Sequence, residues 1–393
     1  MRFYTLLAAL SSIIPSLAVH ANYVDWRSFK AHGVNLGGWL VQESNIDSAF
    51  WAKYGGSADD EWGLCQQLGS QCGPVLERRY ASFITTKDID RLSQAGVGVL
   101  RIPTTYAAWI NLPGSALYSG KQTTYLKKIA DYAIATYGMH IIIDVHSLPG
   151  GINGLPIGEA TGNWGWFDNQ TALDNSLQAI DAVVDFVQHS GSPESYTIEP
   201  INEPADLNKK NMSKFGTPAV LSDKGAAWVA RYINAVLDHV AKVNPKIPVM
   251  FQGSFKNPDY WSSRFADDAN LVFDVHVYHY EHPPECTSSN LATYLCDDAK
   301  QKSGDGKFPV FFGEWSVQAA KQNSLALRER NYNAGTAAFG HYAQGSCYWT
   351  AKFTGNSTVQ GQGIQADYWN FGTFIDKGWV HPAQGFLCND TQH

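Results

Sequence analysis

Two glutamates carry the chemistry this sequence can do. Glu203 lies in Ile201-Asn202-Glu203-Pro204 and Glu314 in Phe312-Gly313-Glu314-Trp315-Ser316, each directly after an apolar run, Tyr196 to Ile201 and Phe308 to Phe312. Two carboxyls brought together at strand ends can cleave a glycosidic bond. One must keep its proton and donate it to the leaving oxygen; the other must stay ionised and attack the sugar or activate water. The pair is distant in sequence, so the reading requires a fold that joins both strand ends in space.

Such a fold is legible in the apolar pattern. Eight short runs read as strands: His32 to Gly37, Val97 to Pro103, His140 to His146, Tyr196 to Asn202, Ile247 to Gln252, Asn270 to Tyr278, Phe308 to Glu314 and Gly345 to Ala351. Helical spacing recurs between several of them, in Leu126, Ile129, Ala130, Ala133 and Ile134 and again in Val229, Ile233, Val236 and Val240. Thr85-Thr86-Lys87-Asp88 opens another helix with a capping threonine and an early acid, and Gly96 closes it. This alternation predicts an α/β chain folded as a single (β/α)8 TIM barrel, with its site at the C-terminal strand ends. Glu203 then ends the fourth strand and Glu314 the seventh, and Arg101, His146, His276 and Tyr278 also fall at run ends. Asp47 to Gly73 and Leu148 to Asp174 are long and aperiodic, and read as loops at the C-terminal face. No repeat or linker divides the chain, so residues 22–393 form one catalytic domain.

Composition narrows the partners. The 393 residues are 44% hydrophobic and 17% charged with net charge −7. The basic runs that nucleic acid or an anionic membrane would need are missing. Aromatics are abundant, which suits both sugar stacking and a large core. Residues 1–21 read as a secretory signal peptide. Arg2 precedes the largely apolar Thr5 to Val19, and small residues stand at Ser16-Leu17-Ala18 and Val19-His20-Ala21. No later stretch approaches the about 18 apolar residues of a membrane span. The expectation is a secreted, monomeric protein. Glycosylation sequons begin at Asn169, Asn211, Asn356 and Asn389. Six cysteines, Cys65, Cys72, Cys286, Cys296, Cys347 and Cys388, predict disulfides in an exported chain. Short loops favour Cys65 with Cys72 and Cys286 with Cys296, leaving Cys347 with Cys388. Without Cys-x-x-Cys, and with no third ligand beside Asp144-x-His146 or His276-x-x-His279, neither metal nor cofactor is expected.

Six motifs in order carry a family resemblance: Gly33-Val34-Asn35-Leu36-Gly37-Gly38-Trp39-Leu40-Val41-Gln42-Glu43, Arg101-Ile102-Pro103, Asp144-Val145-His146, Asn202-Glu203-Pro204, His276-Val277-Tyr278 and Gly313-Glu314-Trp315. From about His32 to Pro382 the chain resembles glycoside hydrolase family 5, in its fungal exo-β-1,3-glucanase-like branch. The resemblance implies a retaining double displacement with Glu203 as acid/base and Glu314 as nucleophile. It also implies that Asn202 binds the hydroxyl beside the reacting carbon and that Arg101 holds Glu314 ionised. His146 and His276 would be donors around the first sugar or the nucleophile, and Tyr278 would bond the nucleophile or the ring oxygen. Glu43 would grip hydroxyls of the terminal glucose, and Trp349 would form an aromatic floor.

The chain departs from that branch around the pocket. Ser44 and Asn45 follow Glu43 where the branch carries proline and an aromatic. Thr104-Thr105-Tyr106 follows Arg101-Ile102-Pro103 in place of Gly-Tyr-Trp. Trp349-Thr350-Ala351 replaces a Trp-x-Trp, and Leu155 and Glu281 stand at the places of two clamping phenylalanines. Ala351 suggests room for a second sugar on the glucose 6-position, as in the rutinosidase-like diglycosidases of the same family. The expected function is therefore a secreted β-glycosidase acting from the non-reducing end, preferably a diglycosidase of flavonoid glycosides. The alternative is an exo-β-1,3-glucanase acting on laminarin or wall glucan. A non-catalytic glucan-binding wall protein is a remote third reading, since both carboxyls are kept.

Overall fold

The computed structural model describes residues 22–157, 159–206, 213–380 and 388. Eight parallel strands close into a barrel in chain order. They are β1 (Ala31–Asn35), β2 (Val99–Thr105), β3 (His140–Ser147), β4 (Tyr196–Glu199), β5 (Val249–Gln252), β6 (Leu271–His279), β7 (Val310–Ala319) and β8 (Gly345–Tyr348). β1 closes the ring on β8, with Ala31 opposite Gly345 and Val34 opposite Tyr348. The (β/α)8 expectation holds. Three strands end earlier than their apolar runs, β1 at Asn35 by two residues, and β4 and β8 by three. β4 stops at Glu199 because Pro200 has no N–H to continue the ladder. β8 stops at Tyr348, and the buried Trp349 to Ala351 runs on as loop.

Helices clothe the barrel. The first long loop is not irregular throughout: α1 (Ser48–Tyr54) and α2 (Glu61–Leu68) fold within it, and α3 (Cys72–Ser82) begins at its end. Asp47 and Asp60 cap α1 and α2, accepting from Phe50 N and Gly63 N. Their apolar stripes are too short to announce themselves by periodicity. α4 (Thr86–Gln94) starts in the expected Thr85/Asp88 capping box. α5 (Gln122–Tyr137), α6 (Gln170–Gln188), α7 (Asp223–Val243), α8 (Pro258–Ser262), α9 (Leu291–Gln301) and α10 (Arg328–Tyr342) follow successive strands. α11 (Gln365–Trp369) and α12 (Phe371–Asp376) come after β8. Trp26 plugs the N-terminal mouth, packed with Val99, Ile142, Met250, Val272 and Phe311. Its Nε1 donates to Thr197 Oγ1 at 2.9 Å. The opposite mouth is left for the site.

The cysteine pairing differs from expectation. Cys65 and Cys72 are bonded, but Cys296 on α9 pairs with Cys388, while Cys286 and Cys347 are free and buried. Cys347 belongs to the lower barrel core, against β1, where a Cβ on Gly33 would come within 2.4 Å of its Sγ. From there it cannot reach the chain end. Asn169 and Asn356 are exposed, and Asn169 caps α6. Asn211, Asn389 and residues 1–21 lie outside the described residues. Among the described residues no helix is long and apolar enough to cross a membrane.

Candidate active site

Arg101 on β2 organises the C-terminal mouth. It is fully buried. Its Nε donates to Glu199 Oε2 at 2.6 Å, Nη1 to Glu314 Oε1 at 2.7 Å and Asn35 Oδ1 at 3.1 Å, and Nη2 to Asn202 Oδ1 at 3.0 Å. Asp144 Oδ2 lies 3.1 Å from Nη2. Burial works against the guanidinium charge, but the facing carboxyls, Asp144 foremost, hold it well above its ordinary pKa. A lone charge of this kind would be expelled from a low-dielectric interior; the Asp144 and Glu314 carboxylates offset it, and a Glu199 oxygen accepts its Nε–H. Because Arg101 occupies Asn202 Oδ1, the Asn202 Nδ2 is left to point at His146 Nε2, 3.3 Å away, and at the open cleft. His146 in turn is held through Nδ1 by Asp144 Oδ2 at 2.6 Å.

The two glutamates meet across this network. Glu203 sits four residues past the end of β4 with φ of 48°. That left-handed backbone costs on the order of 1–3 kcal/mol for a non-glycine residue. Two side chains fix it: Gln252 Oε1 accepts from Glu203 N at 2.9 Å, and Asn153 Nδ2 donates to Glu203 O at 3.3 Å. His276 on β6 lies between the carboxyls. Its Nδ1 is 2.9 Å from Glu203 Oε1 and 3.6 Å from Glu314 Oε2, and its Nε2 is 3.0 Å from Asp274 Oδ2. One oxygen of each glutamate and a nitrogen of His276 lie within 4.8 Å of one another. This spacing suits direct attack by one carboxylate, since an interposed water needs about 6.5–9.5 Å.

Glu314 receives a second donor, the Tyr278 hydroxyl, at 2.7 Å from Oε2. Burial raises the Glu314 pKa, His276 and Arg101 pull it back, and the Glu203 charge adds to the rise. Burial, with Glu314 and Glu203 beside it, keeps the Tyr278 hydroxyl well above its ordinary pKa, so it stays a donor. Burial raises the Glu43 carboxyl to about 8, and it lines the same cleft. Neutral below that pH, it can donate as well as accept. Trp349 stacks on His146 with centroids 5.9 Å apart and planes 16° apart, and it forms one wall. Thus Glu43, Arg101, His146, Asn202, Glu203, His276, Tyr278, Glu314 and Trp349 share one site.

The cleft is about 760 Å³, in the range of drug-sized ligand pockets. Leu155 and Glu281 line it, as do Phe215 and Phe255, which meet edge-on at 5.0 Å. Trp369 also lines it, stacked on Tyr278 with centroids 5.2 Å apart. Ala351 does not line the cleft; it is buried, with its N–H on Asn35 O. Its small size therefore opens no direct space there, and Trp369 from α11 supplies an aromatic wall in that part of the mouth. Sequence reasoning missed Trp369, Phe215 and Phe255, which lie on loops and short helices without period. It also missed Glu199 and Asp274. Their signal was present, as acids inside otherwise apolar strand runs. Among the described residues, Glu203 with His276 and Glu314, and Glu199 with Asp274 and His276, could converge on a metal ion. In both sets the carboxylates are already compensated by Arg101 and His276.

A family model described as Cellulase (glycosyl hydrolase family 5) matches residues 66–355. The chain belongs to glycoside hydrolase family 5. It is accordingly a glycosidase, and its substrate is a carbohydrate or glycoside. It is 30% identical over 323 residues to the "Probable glucan 1,3-beta-glucosidase A" of Aspergillus niger, covering 79% of this chain and 71% of that one. The crystal structure of rutinosidase from Aspergillus niger is 64% identical, with a TM-score of 0.90 over 92% of this chain and 100% of that one. The crystal structure of AoRut is 68% identical, with a TM-score of 0.90 over 91% and 99%.

Proposed function

We propose that this protein is a secreted, retaining β-glycosidase that removes a 6-O-rhamnosyl-glucose unit whole from a flavonoid glycoside. The observation that carries the substrate reading is the 64% identity to a solved rutinosidase along almost the entire chain. The altered cleft walls support it, with Leu155 and Glu281 where the glucanase branch places an aromatic clamp. In the reaction, Glu314 attacks the anomeric carbon while the Glu203 proton passes to the leaving oxygen, so the carbon–oxygen bond to the aglycone breaks. Water then attacks the same carbon, gives its proton to Glu203 and releases Glu314 as carboxylate. Arg101 and Tyr278 favour the Glu314 charge in the free enzyme. Asn202 Nδ2 is placed to bond the neighbouring sugar hydroxyl, and Glu43 and Trp349 to hold the glucose. An acidic optimum follows, since Glu203 must carry a proton while Glu314 does not.

Product analysis after separate incubation with rutin and with laminarin tests this. Intact disaccharide plus quercetin is the expected result. Glucose from laminarin with no action on rutin would establish the alternative, an exo-β-1,3-glucanase, which the 30% identity to glucan 1,3-beta-glucosidases supports.

A further inference from the structure

Beneath the catalytic pair lies a second tier of carboxyls. Asp274, on the same strand as His276, is buried, and its Oδ2 holds His276 Nε2 at 3.0 Å. Its Oδ1 accepts from Gly313 N at 2.5 Å. The space it fills is reserved by sequence, because a Cβ on Gly313 would stand 2.1 Å from Asp274 Oδ2. The glycine that precedes the nucleophile thus seats the carboxylate that holds the histidine. Glu199 stands beside Asp274, with carboxyl oxygens of both and a His276 nitrogen within 4.8 Å of one another. Glu199 Oε2 takes Arg101 Nε at 2.6 Å, while Oε1 is buried with no donor facing it. Two carboxyls this close share a proton more readily than they both ionise. The result is a closed ring of contacts, Glu203–His276–Asp274–Glu199–Arg101–Glu314.

We propose that Asp274 and Glu199 are positioning residues of the acid/base: Asp274 holds a charged His276 against Glu203, and a neutral Glu199 donates to Asp274 to keep it there. The groups facing the Glu203–His276 pair are Glu314 from β7, Arg101 from β2, Glu199 from β4, and Asp274 and Tyr278 from β6. Glu43 and His146 lie further round the mouth. A cationic His276 stabilises the Glu203 carboxylate that remains once the proton has gone to the leaving oxygen. In the return step the same contact lets Glu203 accept the proton of water. Burial disfavours the His276 charge, but Glu314 and Asp274 raise its pKa well above the ordinary value. Burial likewise drives the Glu199 carboxyl up and toward the neutral form. The inference rests on Glu203 being the acid/base and is independent of which glycoside is cleaved.

The test uses the purified protein on whichever glycoside the wild type hydrolyses. In Asp274→Asn the His276 ring loses one of the two carboxylates that hold its charge, leaving Glu314, so its cationic form is weakened. The Glu203 carboxylate left after proton transfer then faces a weaker positive charge. The alkaline limb of kcat/KM should move up by about one pH unit or more, while the maximal rate falls about tenfold or more. A uniform fall with an unmoved limb would make Asp274 merely structural and overturn the proposal. Glu199→Gln, which can still donate to Asp274, should retain most of the rate that Glu199→Leu loses, with both variants checked by thermal melting. Equal loss in Gln and Leu would show that Glu199 acts as a charged partner of Arg101 and would overturn its part. Glu203→Ala, with azide added to an aryl glycoside reaction, tests the underlying assignment separately. Recovery of turnover with a β-glycosyl azide product supports it; failure of that rescue removes the basis of the proposal whatever the pH profiles show.

Discussion

Replacing Tyr278 by phenylalanine isolates one hydrogen bond to the nucleophile. The hydroxyl donates to Glu314 Oε2 at 2.7 Å, and the ring stacks on Trp369 with planes 26° apart. Phenylalanine keeps the ring and its stacking and deletes only the donor. A hydrogen bond to a charged acceptor contributes about 1.5–3 kcal/mol. It favours the ionised carboxylate, so its loss raises the Glu314 pKa by about 1–2 units at 1.36 kcal/mol per unit. Glu314 must be ionised to attack, so the acid limb of kcat/KM should move toward neutral pH by that amount. At the wild-type optimum kcat/KM should fall about 10–100-fold, the kinetic equivalent of the same energy. The assay is kcat/KM against pH for both proteins on rutin, or on an aryl β-glucoside if rutin proves inert, with melting curves to check the fold. A loss of similar size at every pH, with the acid limb unmoved, would refute the claim that Tyr278 acts through the ionisation of Glu314.

Three further outcomes are expected. Gly313→Ala pushes a methyl to 2.1 Å from the Asp274 carboxylate; overpacking of this kind costs about 1–3 kcal/mol, so the melting temperature should fall together with activity, and an unperturbed, fully active variant would contradict the packing described. Cys296→Ser or Cys388→Ser opens a disulfide spanning 92 positions, worth about 4–5 kcal/mol on a chain-entropy account; a lowered melting temperature, with Cys286 and Cys347 alkylated only after unfolding, is the expected pattern, and alkylation of Cys296 in the native wild type would oppose it. Glu61 is fully buried, and desolvation lifts its pKa to about 8 against the Gln42 N–H and Arg79. Its folded pKa exceeds its unfolded one, so the stability it contributes is present at acid pH and is lost as pH rises toward 8. Glu61→Gln should flatten the decline of melting temperature between about pH 5 and pH 8, and an unchanged slope would count against a neutral Glu61.

Much of the fold was legible because a buried parallel barrel leaves a simple trace. Strands buried on both faces read as apolar runs, and crossover helices read as periodic stretches between them. The boundaries were less so. Glu203 was expected at the end of the fourth strand but lies beyond Pro200, in a left-handed conformation held by Gln252 and Asn153. Apolar character continued past the last ladder bond, and only the missing proline N–H marked the change. Ala351 was expected to open the pocket but lies in the core, where its N–H donates to Asn35 O and its carbonyl accepts from Gly372 N of α12, a short element with no periodic signal.

What the sequence by itself determined is the barrel, the two glutamates and their companions at strand ends, and the family. These follow from local pattern and short motifs, which need no knowledge of long-range contacts. The tertiary structure alone decided which cysteines pair, because closure depends on where Cys296 and the chain end meet in space and not on loop length. It alone decided that Arg101 serves Glu199, Glu314, Asp144 and Asn202 together, and that Trp369 and the Phe215–Phe255 pair line the cleft. It also revealed the tier of Asp274 and Glu199 under His276. Each of these is a meeting of residues from different strands or loops, and the energy of such a meeting lies in distances that a linear order does not contain.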